Sequence, residues 1–172
     1  MDAMQGVRGV AKRSRKAAAK AVVGKVDKPV PLNFLSMYRA DAMQRISIVK
    51  RGLPAADVEV LAKQMAWPKE RVVSTLGLAR ATVDRKARAN QALSQDESAR
   101  VLGMVRLVGQ VQEMVEASGA PDRFDAAGWV AHWLESPLPA LGGKKPLEFM
   151  DTGDGQALVA NLVARMQSGS YA

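Results

Sequence analysis

The chain has 172 residues, 48% of them apolar, with a formal net charge of +8, one histidine and no cysteine. That length supports one compact domain or two small ones, and the missing cysteines exclude disulfides, thiol catalysis and cysteine-ligated metals, which fits a reducing cytoplasm. Residues 1–92 carry 19 Lys and Arg against 7 Asp and Glu, whereas residues 93–172 carry 6 against 10, so only the first part suits a polyanion such as nucleic acid.

In chain order, residues 1–28 come first, with eight basic and two acidic residues. They read as a solvated basic arm able to touch phosphates, and the arm is taken to extend to about residue 40. No apolar core of a signal peptide occurs there, and no run anywhere approaches the roughly 18 apolar residues of a membrane span. Pro29 and Pro31 interrupt regular structure.

From Asp41 the pattern is helical throughout. Asp41 caps a first helix that Gly52 stops. Pro54 opens a second, whose Val58, Leu61, Ala62 and Met65 recur at helical spacing. Pro68 opens a third, with Val72, Val73 and Leu76 inward and Gly77 at its end. A fourth runs from about Ala79 to Asn90. Ser94 and Glu97 form a capping box that starts a long helix reaching about Ala117. Its stripe of Val101, Val105, Val108, Val111, Met114 and Val115 suits either a dimer interface or the core between the two halves. A shorter helix covers about 125–135, and a last one follows Asp151 and Thr152 with Leu158, Val159, Leu162, Val163 and Met166 inward. No segment alternates as a half-buried strand does, so the fold class is all-α. The expected division is 1–40 arm, 41–92 DNA-binding domain, 93–118 connecting or dimerisation helix, and 119–172 C-terminal domain.

Lys69 to Arg88 has the spacing of a helix-turn-helix. Val73 stands four before Gly77, Val83 six after it, and Leu76 and Leu78 flank the glycine. An ordinary corner between two helices shares these features. The outer face of the second helix favours DNA: Arg80, Thr82, Asp84, Arg85 and Arg88 are polar, and arginines there can contact guanine edges. Asp84 would repel phosphate and is expected to pair with an arginine or accept from cytosine. Lys86 occupies a position where an apolar residue is common. Its stem can pack while its ammonium reaches a phosphate. A motif of this size normally binds double-stranded DNA as a homodimer on paired half-sites.

Trp133 to Gly155, "WLESPLPALGGKKPLEFMDTGDG", holds proline, glycine and apolar residues without obvious chemistry. Pro137 and Pro139 favour an extended segment. Gly142 and Gly143 permit a turn or the close approach of another chain. Pro146 restarts one helical turn that buries Leu147 and Phe149. The stretch reads as a rigid connector or as a preorganised docking surface. His132, flanked by Trp129 and Trp133, reads as a packing or surface residue, since a metal needs three or four ligands. No metal, cofactor or enzymatic activity is expected. "DTGDGQ" has the glycines of a phosphate loop without its lysine.

The segments "LGLARATVDRKA", "LSQDESAR" and "WLESPLPALGGKKPLEFMDTGDGQALVANLVARMQSGSYA" together resemble antitoxins of the Xre/MbcA/ParS type over residues 42–172. The shared pattern is W-L-x-x-P-x-P-A-L-G-G-x-x-P-L-E, then D-T-x-x-G, then a terminal G-x-Y-A. The resemblance implies a helix-turn-helix domain followed by a small helical toxin-binding domain. It implies a RES-domain toxin partner that depletes NAD, and repression of the chain's own promoter. Toxin contacts would fall on Trp133, Leu138, Pro139, Leu141, Gly142, Gly143, Lys144, Lys145 and Arg165. The terminal Gly169, Ser170, Tyr171 and Ala172 would enter or cover the toxin's cofactor pocket. The alternative is an Xre-like transcription regulator without a toxin, its C-terminal half serving dimerisation or ligand sensing.

Overall fold

The computed structural model describes residues 32–119 and 124–167. Eight α-helices appear among them: α1 Phe34–Arg39, α2 Ala42–Arg51, α3 Asp57–Gln64, α4 Lys69–Thr75, α5 Arg80–Arg88, α6 Gln95–Ala117, α7 Ala126–Leu134 and α8 Gly153–Gln167. Two short 3-10 helices, Pro139–Leu141 and Pro146–Phe149, join α7 to α8. The fold is all-α, as the sequence pattern requires.

The helix boundaries follow local chemistry. Asp41 and Ser94 each form a complete capping box, with Gln44 and Glu97 respectively. Gly52 ends α2 at φ 85°, where a left-handed residue is needed and glycine adopts it without a steric penalty. The Thr152 hydroxyl accepts from the Gly155 amide at 3.1 Å and so caps α8.

The axis of the molecule is α6. Val101, Val105, Val108 and Val111 are buried, and so are Leu102, Met104 and Leu107 on its other sides. A helix apolar on most of its circumference is a core helix. It is covered by α1, α2, α7 and α8 from the same chain. The valine stripe therefore belongs to the intramolecular core and is not exposed for pairing with a second copy. Met114 and Val115, nearer the helix end, are only half-buried.

Helix α1 lies in the segment read from sequence as the end of the basic arm. Asn33 caps it by accepting from the Ser36 amide at 2.9 Å, and Phe34 is buried. It approaches α6 at Gly109, where a Cβ would stand 2.1 Å from the Phe34 carbonyl oxygen. Arg39 adds an ion pair to Glu113 at 2.6 Å. Residues 32–40 thus belong to the folded body. Residues 1–31, with the rest of the arm, lie outside the described residues.

Three local expectations are corrected. Pro139–Leu141 is a 3-10 turn, not extended chain, because Pro139 sits at the first helical position, where no backbone donor is required. In the second turn Pro146 and Met150 are buried, while Leu147 and Phe149 are half-buried. In α8 Leu158 is 42% exposed, whereas Val159, Leu162 and Val163 face the core.

Candidate nucleic-acid and toxin-binding surfaces

The α4–turn–α5 unit is held from beneath by Val72, Val73, Leu76, Leu78 and Val83, all buried. Gly77 takes φ 58° in the turn, and the Leu78 amide donates to the Val73 carbonyl at 2.9 Å. A third element fixes this turn. The Arg100 guanidinium, on α6, donates to the carbonyls of Leu76 at 2.9 Å and Gly77 at 2.7 Å. It occupies the C-terminal end of α4, where cations and orphan carbonyls attract each other. No sequence signal marks Arg100 for this role; at four residues from Asp96, to which it also pairs, it looks like an ordinary surface partner.

With Val83 inward, the other face of α5 is outward. Arg80, Arg85 and Arg88 are exposed and Thr82 is half-buried. Arg80 pairs with Glu70 at 2.8 Å. Asp84 accepts from Lys69 at 2.5 Å and lies 3.8 Å from Arg80 Nε. The hydrogen bond from Lys69, against a smaller desolvation penalty, holds the Asp84 carboxyl below its ordinary pKa. Its main partner is thus a lysine of α4, with the expected arginine secondary. Arg85 has no ion-pair partner among the described residues.

Lys86 departs from the sequence reading. Its ammonium lies 2.6 Å from Glu97, with the two side chains 16% and 13% exposed. Burial pushes the Glu97 pKa up, but hydrogen bonds from Lys86 and Ser94 more than offset this and hold it low. Lys86 ties α5 to the start of α6, and its ammonium is turned inward to that carboxylate.

The second surface lies between α7 and α8. Trp133 is 8% exposed and stacks on Trp129 with ring centroids 5.9 Å apart, so it braces this surface from inside. After it, residues 138–144 close on themselves. The Leu138 amide donates to the Lys144 carbonyl, and the Gly143 amide to the Leu138 carbonyl, each at 3.0 Å. Gly142 and Gly143 stand at φ 65° and 81° with open space where a Cβ would be. The backbone conformation, not crowding within the chain, calls for glycine there. Pro139, Lys144 and Lys145 are exposed, with Leu138 and Leu141 half-buried. Arg165 is exposed on α8. Gly169, Ser170, Tyr171 and Ala172 lie outside the described residues.

The two surfaces are physically joined. Arg71 of α4 donates to Glu135, just after α7, at 2.6 Å. Gln156 of α8 donates to the Arg100 carbonyl at 2.9 Å. Among the described residues, no helix is long and apolar enough to cross a membrane, and no group of three or more acidic or histidine residues could hold a metal.

Comparison with known proteins accords with this two-surface arrangement. Residues 44–106 match the antitoxin Xre-like helix-turn-helix domain, and residues 121–169 match the antitoxin Xre/MbcA/ParS C-terminal toxin-binding domain. A protein of Sphingobium sp. (strain YBL2) named "Prs ADP-ribosylating antitoxin" is 43% identical over 142 residues, covering 83% of this chain and 89% of that protein. "Antitoxin Xre" of Photorhabdus laumondii is 24% identical over 123 residues, covering 72% of this chain and 78% of that protein. The chain belongs to the Xre/MbcA/ParS family of antitoxins.

Proposed function

We propose that the chain neutralises a cognate RES-domain toxin by sterically obstructing its NAD site, and that it represses its own promoter through α5. The observation that carries the first half is the 138–144 loop, exposed, closed by its own hydrogen bonds and free of reactive groups. A surface already held in one conformation loses little entropy on docking. Lys144, Lys145 and Arg165 would add charge complementarity, and the segment carrying Tyr171 would enter or cover the toxin's cofactor pocket. Co-expression with the product of the adjacent gene tests this. Cell growth and NAD content should recover with the intact antitoxin. Deletion of residues 169–172 should weaken neutralisation while operator binding persists. Continued NAD loss at equal expression of the intact chain would refute the proposal.

The name of the Sphingobium relative favours a variant of this reading. The partner toxin would then attach ADP-ribose to a protein, and the same obstruction would stop it. Detection of ADP-ribosylated protein in cells expressing the toxin alone, alongside NAD content, separates the two chemistries.

For DNA, the supporting observation is the arginine-bearing outer face of α5 over a buried inner one. Arg85→Ala should reduce preference for the operator by about 1–3 kcal/mol. Arg80→Ala should do the same, since its exposed pair with Glu70 is worth only about 0–1 kcal/mol and yields readily to DNA. Gel-shift titrations on operator and scrambled DNA measure both. A homodimer on paired half-sites is part of the proposal, and the mass of the operator complex tests it.

A further inference from the structure

A groove of about 630 Å³ opens between α2, α6 and α8, lined by none of the residues proposed above to contact DNA or toxin. It lies within the 300–1,000 Å³ typical of small-ligand sites. Its cationic groups are Arg45, Lys50 and Arg106, and no Asp or Glu among the described residues lines it. Ile46, Val49 and Leu102 supply an apolar wall.

Arg106 is the unusual member. Its Nε is buried and has no hydrogen-bond acceptor among the described residues. Burial holds the guanidinium below its ordinary pKa, and the neighbouring Arg45 charge adds to that effect, with Tyr38 at the groove edge offsetting part of it. Among the described residues, Arg45 itself donates to the Ala40 carbonyl alone. Two guanidinium groups so placed repel each other, and a half-buried cation without a counter-charge is costly. Every other arginine of α6 or α1 finds a carboxylate: Arg100 has Asp96, and Arg39 has Glu113. The groove therefore holds a local excess of positive charge that the acidic residues among the described ones leave unneutralised.

We propose that this groove binds a phosphate monoester of an organic group the size of a nucleoside. A phosphate monoester brings between one and two negative charges near neutral pH and three acceptor oxygens. It can satisfy two arginines at once, as a single carboxylate cannot do equally well. The apolar wall accounts for an organic portion. Because residues of α2 and α8 both line it, the ligand would bridge the segment matched by the helix-turn-helix family and the segment matched by the toxin-binding family.

Calorimetric titration of the full chain with AMP, adenosine and inorganic phosphate tests the proposal. AMP should bind one per chain, inorganic phosphate more weakly, and adenosine without measurable heat. Arg106→Gln should weaken AMP binding about 10- to 150-fold, the range for losing a hydrogen bond to a charged group. Lys50→Gln, on an exposed position, should weaken it less. Circular dichroism should show Arg106→Gln folded, with an unliganded melting midpoint no lower than that of the parent, since the change removes a repulsion. Absence of AMP binding would overturn the proposal. So would equal binding by Arg106→Gln, which would place the phosphate on the basic arm. A switch from dimer to monomer in Arg106→Gln without AMP binding would assign the groove to a second copy and overturn it as well.

Discussion

Lys86 and Asp57 show how burial decides what a charged residue does. Lys86 lies on α5, yet its ammonium pairs with Glu97 within the fold. Lys86→Ala should therefore cost about 1–3 kcal/mol of stability, because it leaves a largely buried carboxylate unpaired. The salt dependence of operator binding should not change. Urea unfolding and binding titrations at several salt concentrations check the two halves. Asp57 opens α3 and is only 6% exposed; desolvation raises its pKa to about 6 from 3.8. The folded state therefore holds this proton more tightly than the unfolded one between those values. Its contribution to stability is fully present below pH 3.8 and is lost as pH rises through about 6. Asp57→Asn should remove that decline and stabilise the fold at pH 7 by about 1–3 kcal/mol. Melting midpoints across pH 4–7 for parent and variant provide the measurement.

Between helices, glycines separate two kinds of constraint. At Gly109 an added Cβ meets the Phe34 carbonyl and the Tyr38 Cβ, at 2.1 and 2.7 Å. The obstacle is backbone and Cβ, which cannot swing aside, so Gly109→Ala should displace α1 from α6. A loss of about 1–3 kcal/mol or more is expected, as for overpacked cores, with increased hydrogen exchange in α1. At Gly142 nothing stands within 4 Å of the added carbon, but φ is 65°. Gly142→Ala should cost only about 1–2 kcal/mol, the penalty of the left-handed conformation, and exchange should rise in residues 138–144 alone. Native-state hydrogen exchange resolves the two patterns.

At the scale of the whole molecule, the turn between α4 and α5 is held by a residue remote from the outer face of α5. Arg100→Ala should lower operator affinity several-fold without touching DNA, because it releases the Leu76 and Gly77 carbonyls that fix the turn. Restored affinity in Arg100→Lys, which keeps the charge at the helix end, would locate the effect in that contact. This role also marks the limit of what was legible in the sequence. Helices α2 to α8 were readable because Asp41, Ser94, Gly52 and Gly77 act locally, through caps and left-handed turns. The inward positions of α3 to α5 followed from helical spacing. What escaped depended on partners far along the chain. Helix α1 spans only six residues and gains its stability from α6, more than sixty positions away. Lys86 and Arg100 looked like surface charges until α5 and α6 were brought together. The Arg45–Arg106 groove needs three helices at once, so no single window of sequence announces it.

The position of α6 carries one more consequence. The helix-turn-helix match ends at residue 106, midway along it, yet the helix continues unbroken to Ala117 and carries α1, α7 and α8 on the same shaft. Under the function proposed above, one proteolytic nick within that shaft is expected to silence operator binding and toxin restraint together. The two outputs would then share a single lifetime in the cell, set by the integrity of one helix.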